Sequence, residues 1–284
     1  MKLNAGRYAF LPGCLLISFL ACQHYKYRDN GLLLLKGGRY YDAVYMFNQS
    51  LKNKPDFARG YYYRGLAYCG LKDLDKALAD FNKAVELDDE MAEAYVNRGI
   101  ILATRKKTGP AMADFNKALE LDNRLSQGYA NRAGLYYLMG KEIKAEQDFS
   151  KAISLDPENI ANYANRGDIR MRRGDIKGAL SDFKVALKKD ESPKNQIMMA
   201  RLLLRTKDYR ESAKYANRAI DKEPRNLEAY IISGKACYRL SRYNLAALQF
   251  SRAIGYDPKP TQYPEAYFYR GMIYYRQNRL PFAR

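Results

Sequence analysis

Residues 92–123 read AEAYVNRGIILATRKKTGPAMADFNKALELDN, and this pattern recurs along nearly the whole chain. The complete pattern has a tyrosine, a glycine four residues later, an alanine twelve residues after the glycine and a phenylalanine four residues after the alanine. Adjacent copies begin 34 residues apart, except for one step of 33 residues and one of 37. The chain therefore contains seven repeats and part of an eighth. The opening tyrosines, where the copy keeps this residue, are Tyr27, Tyr61, Tyr95, Tyr129, Tyr163, Tyr230 and Tyr267.

A period of this length indicates a solenoid, in which each repeat buries its apolar face against its neighbours. Apolar residues recur at three- and four-residue intervals in two runs per repeat, which is the spacing of two amphipathic helices. In the second repeat these runs are residues 57–70 and 74–87. The sequence therefore predicts an all-α fold built from tandem helix pairs.

Small residues occupy the positions at which the two helices of a repeat must cross closely, because larger side chains would hold the backbones apart. We expect the phenylalanine of each repeat to fill the space between its helices. Prolines follow the second helices, where the missing N–H donor ends a helix. The glycines are Gly31, Gly65, Gly99, Gly167, Gly234 and Gly271, the alanines Ala43, Ala77, Ala111, Ala145, Ala179 and Ala246, and the prolines Pro55, Pro157, Pro224 and Pro258.

The motif Ala-Tyr-x-Asn-Arg-Gly, followed by Ala-x-x-Asp-Phe-x-Lys-Ala-x-x-Leu-Asp, is nearly complete in residues 92–123 and 160–189. It resembles the bacterial variety of the tetratricopeptide repeat family, and the resemblance covers about residues 24–284. The resemblance implies a right-handed α-solenoid of tandem helix pairs, with a concave groove lined by the first helices. It further implies that the groove binds a peptide or another protein.

The N-terminal residues have the layout of a secretory signal peptide. Two basic residues, Lys2 and Arg7, precede an uncharged run over residues 8–21, which is shorter than the about 20 apolar residues that span a membrane. Residues 20–22, Leu-Ala-Cys, resemble the end of a bacterial lipobox, whose cysteine is lipidated and becomes the first residue of the mature chain. We therefore expect a signal peptide over residues 1–21, a lipid anchor at Cys22 and one solenoid domain over residues 22–284.

An ordinary signal peptide cleaved nearby is the alternative, and it would leave Cys22 as a plain thiol in a secreted protein. By the sorting pattern of bacterial lipoproteins, Gln23 after the cysteine indicates the outer membrane in a cell that has one. Lipidation would therefore place the protein on a membrane surface of the cell envelope.

Positive charge is concentrated in the second half of the chain, which has a formal net charge of +18 overall. Residues 22–153 contain 21 basic and 17 acidic residues, whereas residues 154–284 contain 26 basic and 14 acidic residues. In a cytosolic protein this excess would indicate a nucleic acid partner. Since export removes the chain from nucleic acid, we expect an acidic peptide or an anionic envelope component. A solvated basic surface without a specific ligand is the alternative.

Catalytic and metal-binding patterns do not stand out in the sequence. The only histidine is His24, and Cys69 and Cys237 lie five repeats apart, which does not suggest a disulfide framework. No nucleophile–base pair, phosphate loop or carboxylate pair departs from the repeat pattern. We therefore expect no cofactor, no metal and no enzymatic activity, and an enzyme with a site hidden in the groove is the competing class.

The sixth repeat departs most from the pattern. Gln196, Ala200, Ser212 and Ala216 replace its tyrosine, glycine, alanine and phenylalanine. The connection before it, residues 188–196, is polar and contains a proline. We interpret this connection as a softer joint at which the solenoid bends, and decay of one repeat without functional meaning is the alternative.

An arginine and an aspartate occur together in a repeat or not at all. Repeats two to five have an arginine just before the glycine position and an aspartate just before the phenylalanine, whereas the three other full repeats have neither. This co-occurrence predicts an ion pair that joins the two helices of one repeat. The predicted pairs are Arg64–Asp80, Arg98–Asp114, Arg132–Asp148 and Arg166–Asp182.

Three asparagines share one position on consecutive first helices: Asn97, Asn131 and Asn165. In the family that the repeats resemble, this position faces the groove, and asparagines there hold the backbone of a ligand in some members. A carboxamide both donates and accepts hydrogen bonds, which suits a peptide unit. The asparagines are therefore candidate peptide-binding residues. Alternatively, they belong to the common sequence of this repeat and bind only water.

A second group of candidates lies in the basic half. Arginines share one position near the ends of four successive first helices, and two further cations stand four residues before two of them, on the same face. Guanidinium groups bind carboxylates in a fork, so the group predicts an acidic peptide or a C-terminal carboxylate as ligand. A solvated cluster that complements the helix dipoles is the alternative. The residues are Arg172, Arg205, Arg239 and Arg276, with Arg201, Lys235 and the interleaved Tyr137, Tyr238 and Tyr275.

The last first helix, predicted over residues 265–277, is rich in aromatic residues and has no complete second helix after it. Terminal repeats usually have a polar outer face. We expect this helix to dock on a partner or a second copy, and a truncated sequence is the alternative.

The sequence as a whole predicts an exported, lipid-anchored scaffold that holds a protein or peptide in its groove. It is similar to outer-membrane lipoproteins of the family that help to assemble secretion or pilus machinery or bring wall-cutting enzymes together. One alternative is a wall-associated protein that binds an anionic polymer by charge, and the other is the enzyme.

Overall fold

A computed structural model describes residues 12–257 and 263–278, with side chains from Gln23 onward. Within these residues the chain forms fifteen α-helices and no strand. Odd-numbered helices are the first helices of the repeats, and even-numbered helices are the second. The helices are α1 Pro12–Lys36, α2 Tyr40–Asn53, α3 Ala58–Gly70, α4 Leu74–Leu87, α5 Ala92–Thr104, α6 Thr108–Leu121, α7 Ser126–Leu138, α8 Glu142–Leu155, α9 Ile160–Arg173, α10 Ile176–Lys189, α11 Pro193–Arg205, α12 Tyr209–Lys222, α13 Leu227–Arg239, α14 Tyr243–Tyr256 and α15 Glu265–Arg276.

The prediction of an all-α solenoid of helix pairs is confirmed. The runs predicted over residues 57–70 and 74–87 are α3 and α4, and only the first boundary differs, by one residue. The last first helix, predicted over residues 265–277, is α15. The hydrophobic spacing therefore located these helices to within a residue.

The chain divides into two compact units, residues 1–135 and 136–284, and the division falls within α7. Each helix from α1 to α5 packs on the next along the chain, and so does each helix from α8 to α14. First helices of neighbouring repeats also touch each other: α1 touches α3 in unit 1, and α11 touches both α9 and α13 in unit 2. Within each unit the first helices therefore lie side by side, and the second helices form the opposite side.

The turn between the two helices of a repeat contains one residue in the left-handed backbone conformation. This residue is Gly174 in the fifth repeat, with φ of +89°, and Lys106 in the third, with φ of +59°. A side chain in this region costs about 1–2 kcal/mol, which glycine avoids. The same register position is left-handed in the other full repeats, at Gly38, Lys72, Gly140, Lys207 and Ser241.

A phenylalanine packed on a glycine fills the space between the two helices of most repeats. Phe81 is completely buried, and a Cβ atom on Gly65 would stand 2.7 Å from its Cε1 atom. The second-helix alanines, such as Ala77, are also completely buried. These contacts confirm the predicted crossing positions. The same close approach, 2.6 to 2.7 Å, recurs at Gly31, Gly99, Gly167 and Gly234.

The predicted ion pairs form in the three repeats whose two partners lie in one unit. In the third repeat Arg98 Nη2 lies 2.6 Å from Asp114 Oδ1, and Arg98 Nε donates to Asp114 Oδ2 at 2.8 Å. The hydrogen bond to this carboxylate, which is 5% exposed, raises the pKa of Arg98 against the opposing effect of burial. The equivalent bidentate pairs are Arg64–Asp80 and Arg166–Asp182. The fourth pair, Arg132 and Asp148, has one residue in each unit and stays a prediction.

The same arginines also connect successive repeats. Arg98 Nη1 donates to Oδ1 of Asn82, which lies on the second helix of the preceding repeat, at 3.3 Å. Its guanidinium carbon stands 5.2 Å from the ring centre of Tyr95, one turn earlier on the same helix. Arg64, Arg98 and Arg166 therefore each join both helices of their own repeat to the repeat before it. The equivalent inter-repeat bonds are Arg64–Asn48, Arg132–Asn116 and Arg166–Ser150.

The sixth repeat compensates for its missing residues. Ser212 stands at the alanine position and Ala200 at the glycine position of this repeat. Ser212 Oγ donates to the backbone oxygen of Ala200 at 2.8 Å. In the connection before it, α10 ends at Lys189 and α11 begins at Pro193. The amide of Asn195 closes this connection by donating to the backbone and carboxylate oxygens of Asp190. That residues 188–196 form a bending joint stays a prediction.

Part of the predicted leader lies outside the described residues, namely residues 1–11 and the side chains of residues 12–22, including Cys22. The backbone of residues 12–36 is one continuous helix, α1. Across the described residues, no helix combines the length and apolar character that a membrane span requires. Cys69 and Cys237 are free thiols.

Gly99→Ala is expected to destabilise the protein by about 1–3 kcal/mol, because its Cβ would lie 2.7 Å from the ring of the buried Phe115. Gly134→Ala is the control, since an added Cβ there meets nothing within 4 Å in helix α7. It should raise stability by roughly 0.5–1 kcal/mol. Urea unfolding followed by circular dichroism measures both changes. Equal stability of the Gly99 variant and the wild type would show that the crossing is not tight.

A double-mutant cycle on Arg98→Met and Asp114→Leu is expected to give a coupling energy above about 1.5 kcal/mol, because either single change leaves a desolvated charge without its partner. The control cycle uses Arg105→Met and Asp75→Leu, whose salt bridge is solvated, since the Asp75 side chain is 90% exposed. Its coupling should stay below about 1 kcal/mol. Additive effects for the first pair would contradict a structural role.

Candidate peptide-binding surface

The candidate asparagines lie on first helices, on the side of the stack where neighbouring first helices meet. Asn97 is on α5, and its Nδ2 atom donates to the backbone oxygen of Glu93 at 2.8 Å and to the Tyr62 hydroxyl on α3 at 3.4 Å. Asn131 Nδ2 likewise donates to the backbone oxygen of Gln127, at 2.8 Å. Part of the donor capacity of both amides is therefore used within the protein.

The oxygen atoms of these amides are available in unit 1. Among the described residues, no hydrogen bond reaches Oδ1 of Asn97 or Asn131. Both side chains are half-buried, as is that of Asn165 on α9 in unit 2. Asn97 and Asn131 are thus placed to accept a hydrogen bond from a backbone N–H group of a ligand, and Asn131 also keeps one N–H group to donate.

Tyr62, which lies between α3 and α5 beside Asn97, is partly shielded from water. Burial, followed by the negative charge of Glu93, raises the pKa of the Tyr62 hydroxyl to about 12. The hydroxyl therefore stays neutral near pH 7 and remains a hydrogen-bond donor next to Asn97.

In unit 2 the first-helix surface is formed by α9, α11, α13 and α15, and it contains the basic candidates. Asp168 on α9 accepts three hydrogen bonds within this unit. Tyr137 Oη donates to Asp168 Oδ2 at 3.0 Å, and Arg172 Nε donates to the same oxygen at 3.1 Å. Arg201 Nη1 on α11 reaches Asp168 Oδ1 at 3.4 Å. The Asp168 carboxylate therefore neutralises part of the positive charge of the predicted basic group, at Arg172 and Arg201.

Two further acidic residues pair with predicted basic residues. Arg201 Nη2 also donates to Glu228 on α13, and Lys235 Nζ donates to Glu265 Oε1 on α15 at 2.9 Å. Burial works to lower the pKa of Arg201, but the hydrogen bond and charge of Glu228 outweigh burial and raise that pKa. Arg201 and Lys235 are therefore parts of ion pairs between neighbouring repeats.

The remaining arginines of the group have no acidic partner among the described residues. Arg205 Nη1 donates to the backbone oxygen of Met171, and Arg276 Nη1 donates to the Tyr243 hydroxyl at 3.0 Å. Arg239 is exposed and forms no hydrogen bond or ion pair within the described part of the chain. Arg205, Arg239 and Arg276 therefore keep their charge available for an anionic ligand.

Tyrosines border these arginines. The Arg276 guanidinium carbon stands 5.7 Å from the ring centre of Tyr238, and Tyr238 packs edge-on against Tyr269. Tyr275 is 71% exposed. The surface thus combines free guanidinium groups with aromatic faces, which suits a peptide that carries both acidic and apolar side chains.

Sequence reasoning missed Asp168, Glu228 and Glu265. A signal was present, since Asp168 stands four residues before Arg172, the spacing of a helical ion pair. Glu228 and Glu265 each stand two residues before the opening tyrosine position of their repeats. Aligning the charges of neighbouring repeats, rather than cations alone, would have shown that three of the cations have partners.

Metal chemistry finds no support in the described residues, which contain no group of three or more histidine, cysteine, aspartate or glutamate side chains arranged to hold a metal ion. The two described cysteines have raised pKa values because of burial, so neither is a ready thiolate nucleophile. The arrangement can therefore bind a ligand through charge, hydrogen bonds and aromatic contacts.

Comparison with family models gives matches over more than half of the chain. Models described as tetratricopeptide repeat match residues 58–91, 92–124, 126–159 and 197–263. A comparison of the sequence with curated proteins finds no match.

Solved structures with similar folds include PilF of Pseudomonas aeruginosa, which is 18% identical and has a TM-score of 0.68, over 74% of this chain and 96% of PilF. A tetratricopeptide repeat protein of Parabacteroides merdae is 15% identical with a TM-score of 0.60, over 88% of this chain and 98% of that one. YrrB, described as a protein of the same repeat class with an unusual peptide-binding site, is 20% identical with a TM-score of 0.56, over 70% of this chain and 98% of YrrB. These likenesses support the fold.

Proposed function

The chain belongs to the tetratricopeptide repeat family, and from this premise we propose that it is an adaptor that binds a segment of another protein on its first helices. The observation that supports this role most directly is the set of three arginines on unit 2 that lack acidic partners among the described residues. One of them, Arg276, lies over the ring of Tyr238, and Tyr275, the residue before it, is open to solvent, a combination that suits recognition of an extended, acidic peptide.

The geometry favours binding over catalysis. The guanidinium groups of Arg205 and Arg239 can each hold a carboxylate through two parallel hydrogen bonds. Tyr275 offers an exposed face for an apolar side chain. Asn97 and Asn131 in unit 1 offer unoccupied amide oxygens to the backbone of a ligand. YrrB, which has the same fold, is described as having a peptide-binding site, and this description supports peptide binding as a role for the present surface.

We further propose that the adaptor is exported, is anchored by a lipid at Cys22 and serves the assembly of a protein complex in the cell envelope. The leader over residues 1–21 and the lipobox-like residues that end at Cys22 support this proposal. In a cell with an outer membrane, Gln23 favours that membrane.

The arginine pair gives a direct test of peptide recognition. Selection of phage-displayed random peptides on the purified protein is expected to enrich sequences with aspartate and glutamate. Calorimetry should then show that Arg205→Glu with Arg239→Glu weakens binding of the selected peptide at least tenfold, because both charges at the contact are reversed. Lys177→Glu with Arg210→Glu, on the second helices, makes the same change in net charge and should leave the affinity unchanged. Equal weakening by both pairs would mean that only net charge matters.

The anchor is tested separately with Cys22→Ser. Wild-type protein expressed in a Gram-negative host is expected in the membrane fraction, with an intact mass increased by the lipid and decreased by the loss of residues 1–21. The variant should lose the lipid and the membrane association, since no other cysteine follows such a leader. An exported but unmodified wild type would overturn the anchor and leave a secreted adaptor.

A further inference from the structure

Four positions on the second helices are exposed in the second, fifth and sixth repeats. They lie two residues before and two residues after the alanine position, and one and five residues after the phenylalanine position. We call them the outer positions. In the fifth repeat they are Lys177, Ser181, Lys184 and Lys188 on α10, and all four are exposed. In the sixth repeat they are Arg210, Lys214, Asn217 and Asp221 on α12, and these are exposed as well.

The fold does not require basic residues at the outer positions. The second repeat has Asp75, Ala79, Asn82 and Glu86 there, and all four are exposed. Helix α4, which contains these residues, has the same length of 14 residues as α10 and α12. The same positions therefore accept acidic, small or basic side chains, so a second helix of this length does not require cations there.

Four cations on these two helices are unpaired within the described residues, whereas Lys189 pairs with Glu158 and Lys222 with Glu191. Among the described residues, Lys177, Lys184, Lys188 and Arg210 form no hydrogen bond or ion pair. Lys214 contacts only Glu211, one turn earlier on its own helix, at 3.3 Å. The unneutralised charge of this part of the unit therefore lies largely on the second helices.

The next second helix, α14, continues this surface with apolar residues. Leu248 occupies the outer position that Lys214 has on α12, and it is 46% exposed. Leu245 is 37% exposed and Tyr256 46% exposed on the same helix, beside the exposed Arg252. Lysines suit the anionic headgroups of a lipid interface, and leucines and tyrosine suit the boundary of its acyl chains. This surface contains both kinds of residue.

We propose that α10, α12 and α14 form a docking surface for a membrane rich in anionic phospholipids. Lysine ammonium groups are mobile point charges, which suit headgroup phosphates that have no fixed geometry. Each lysine or arginine near such a surface adds to the attraction, and the effect fades within a Debye length. The leucines and Tyr256 then contact the acyl boundary, while the first-helix surface on the opposite side of the unit stays accessible.

A soluble polyanion is the competing partner, and the leucines separate the two. A linear anionic polymer would use the lysines alone, whereas a lipid surface gains from Leu245 and Leu248 as well. This proposal does not depend on lipidation of Cys22 or on peptide binding by the first helices.

Sedimentation with vesicles tests the surface on the full chain. Vesicles of phosphatidylcholine with 30% phosphatidylglycerol are compared with pure phosphatidylcholine vesicles, so that any contribution of the N-terminal leader or lipid cancels in the ratio of partition coefficients. Lys177→Glu with Lys184→Glu and Lys188→Glu is expected to lower this ratio at least tenfold. Lys107→Glu with Lys117→Glu and Lys151→Glu, which makes an equal change in net charge on unit 1 and α8, should change it less than twofold.

Leu245→Ser with Leu248→Ser should lower partition into the anionic vesicles at least threefold without affecting the helical signal. An equal loss in both lysine triples would overturn the proposal in favour of net charge. An unchanged leucine variant, together with equal binding of soluble polyphosphate by the wild type, would overturn it in favour of a polyanion surface.

Discussion

The stack depends on the close approach of a first-helix glycine to the phenylalanine of the second helix. Because a Cβ on Gly65, Gly99 or Gly167 would stand less than 3 Å from that ring, the two helices of these repeats approach as they do only because the first has no side chain there. The arginine next to this glycine is thereby brought within reach of the buried aspartate next to the phenylalanine. Its remaining N–H group reaches back to the preceding repeat, so that one crossing fixes both the fold of a repeat and its junction with its neighbour.

Much of this packing could be predicted because the sequence is periodic. Spacing placed α3 and α4 to within a residue, and the joint occurrence of Arg98 and Asp114 predicted their ion pair. The left-handed turn residue was missed, since glycine, lysine and serine all occupy it and only the backbone shows what they share. The partners of Arg201 and Lys235 were also missed, because Glu228 and Glu265 belong to the next repeat and reach them only through the way that repeats stack.

These missed contacts change where the available charge lies. Three of the six cations predicted for the first helices of unit 2 have acidic partners, two of them in a neighbouring repeat, so that this surface has only a few arginines available for a ligand. In the described part of the chain, Lys177, Lys184, Lys188 and Arg210 on α10 and α12 have no acidic partner. A count of charges along the chain identifies the basic half, but only the contacts show which of its cations are already paired.

Repetition also allows the demands of folding to be separated from those of function within a single sequence. Lys184 and Lys188, like Arg210 and Lys214, are four residues apart on one helix face, and like charges at this spacing destabilise a helix by roughly 0.2–0.5 kcal/mol per pair. The equivalent positions of the second repeat, Asn82 and Glu86 or Asp75 and Ala79, avoid this repulsion on the same scaffold. Among the described residues Lys184, Lys188 and Arg210 form no hydrogen bond or ion pair, and an anionic surface against them would relieve this repulsion.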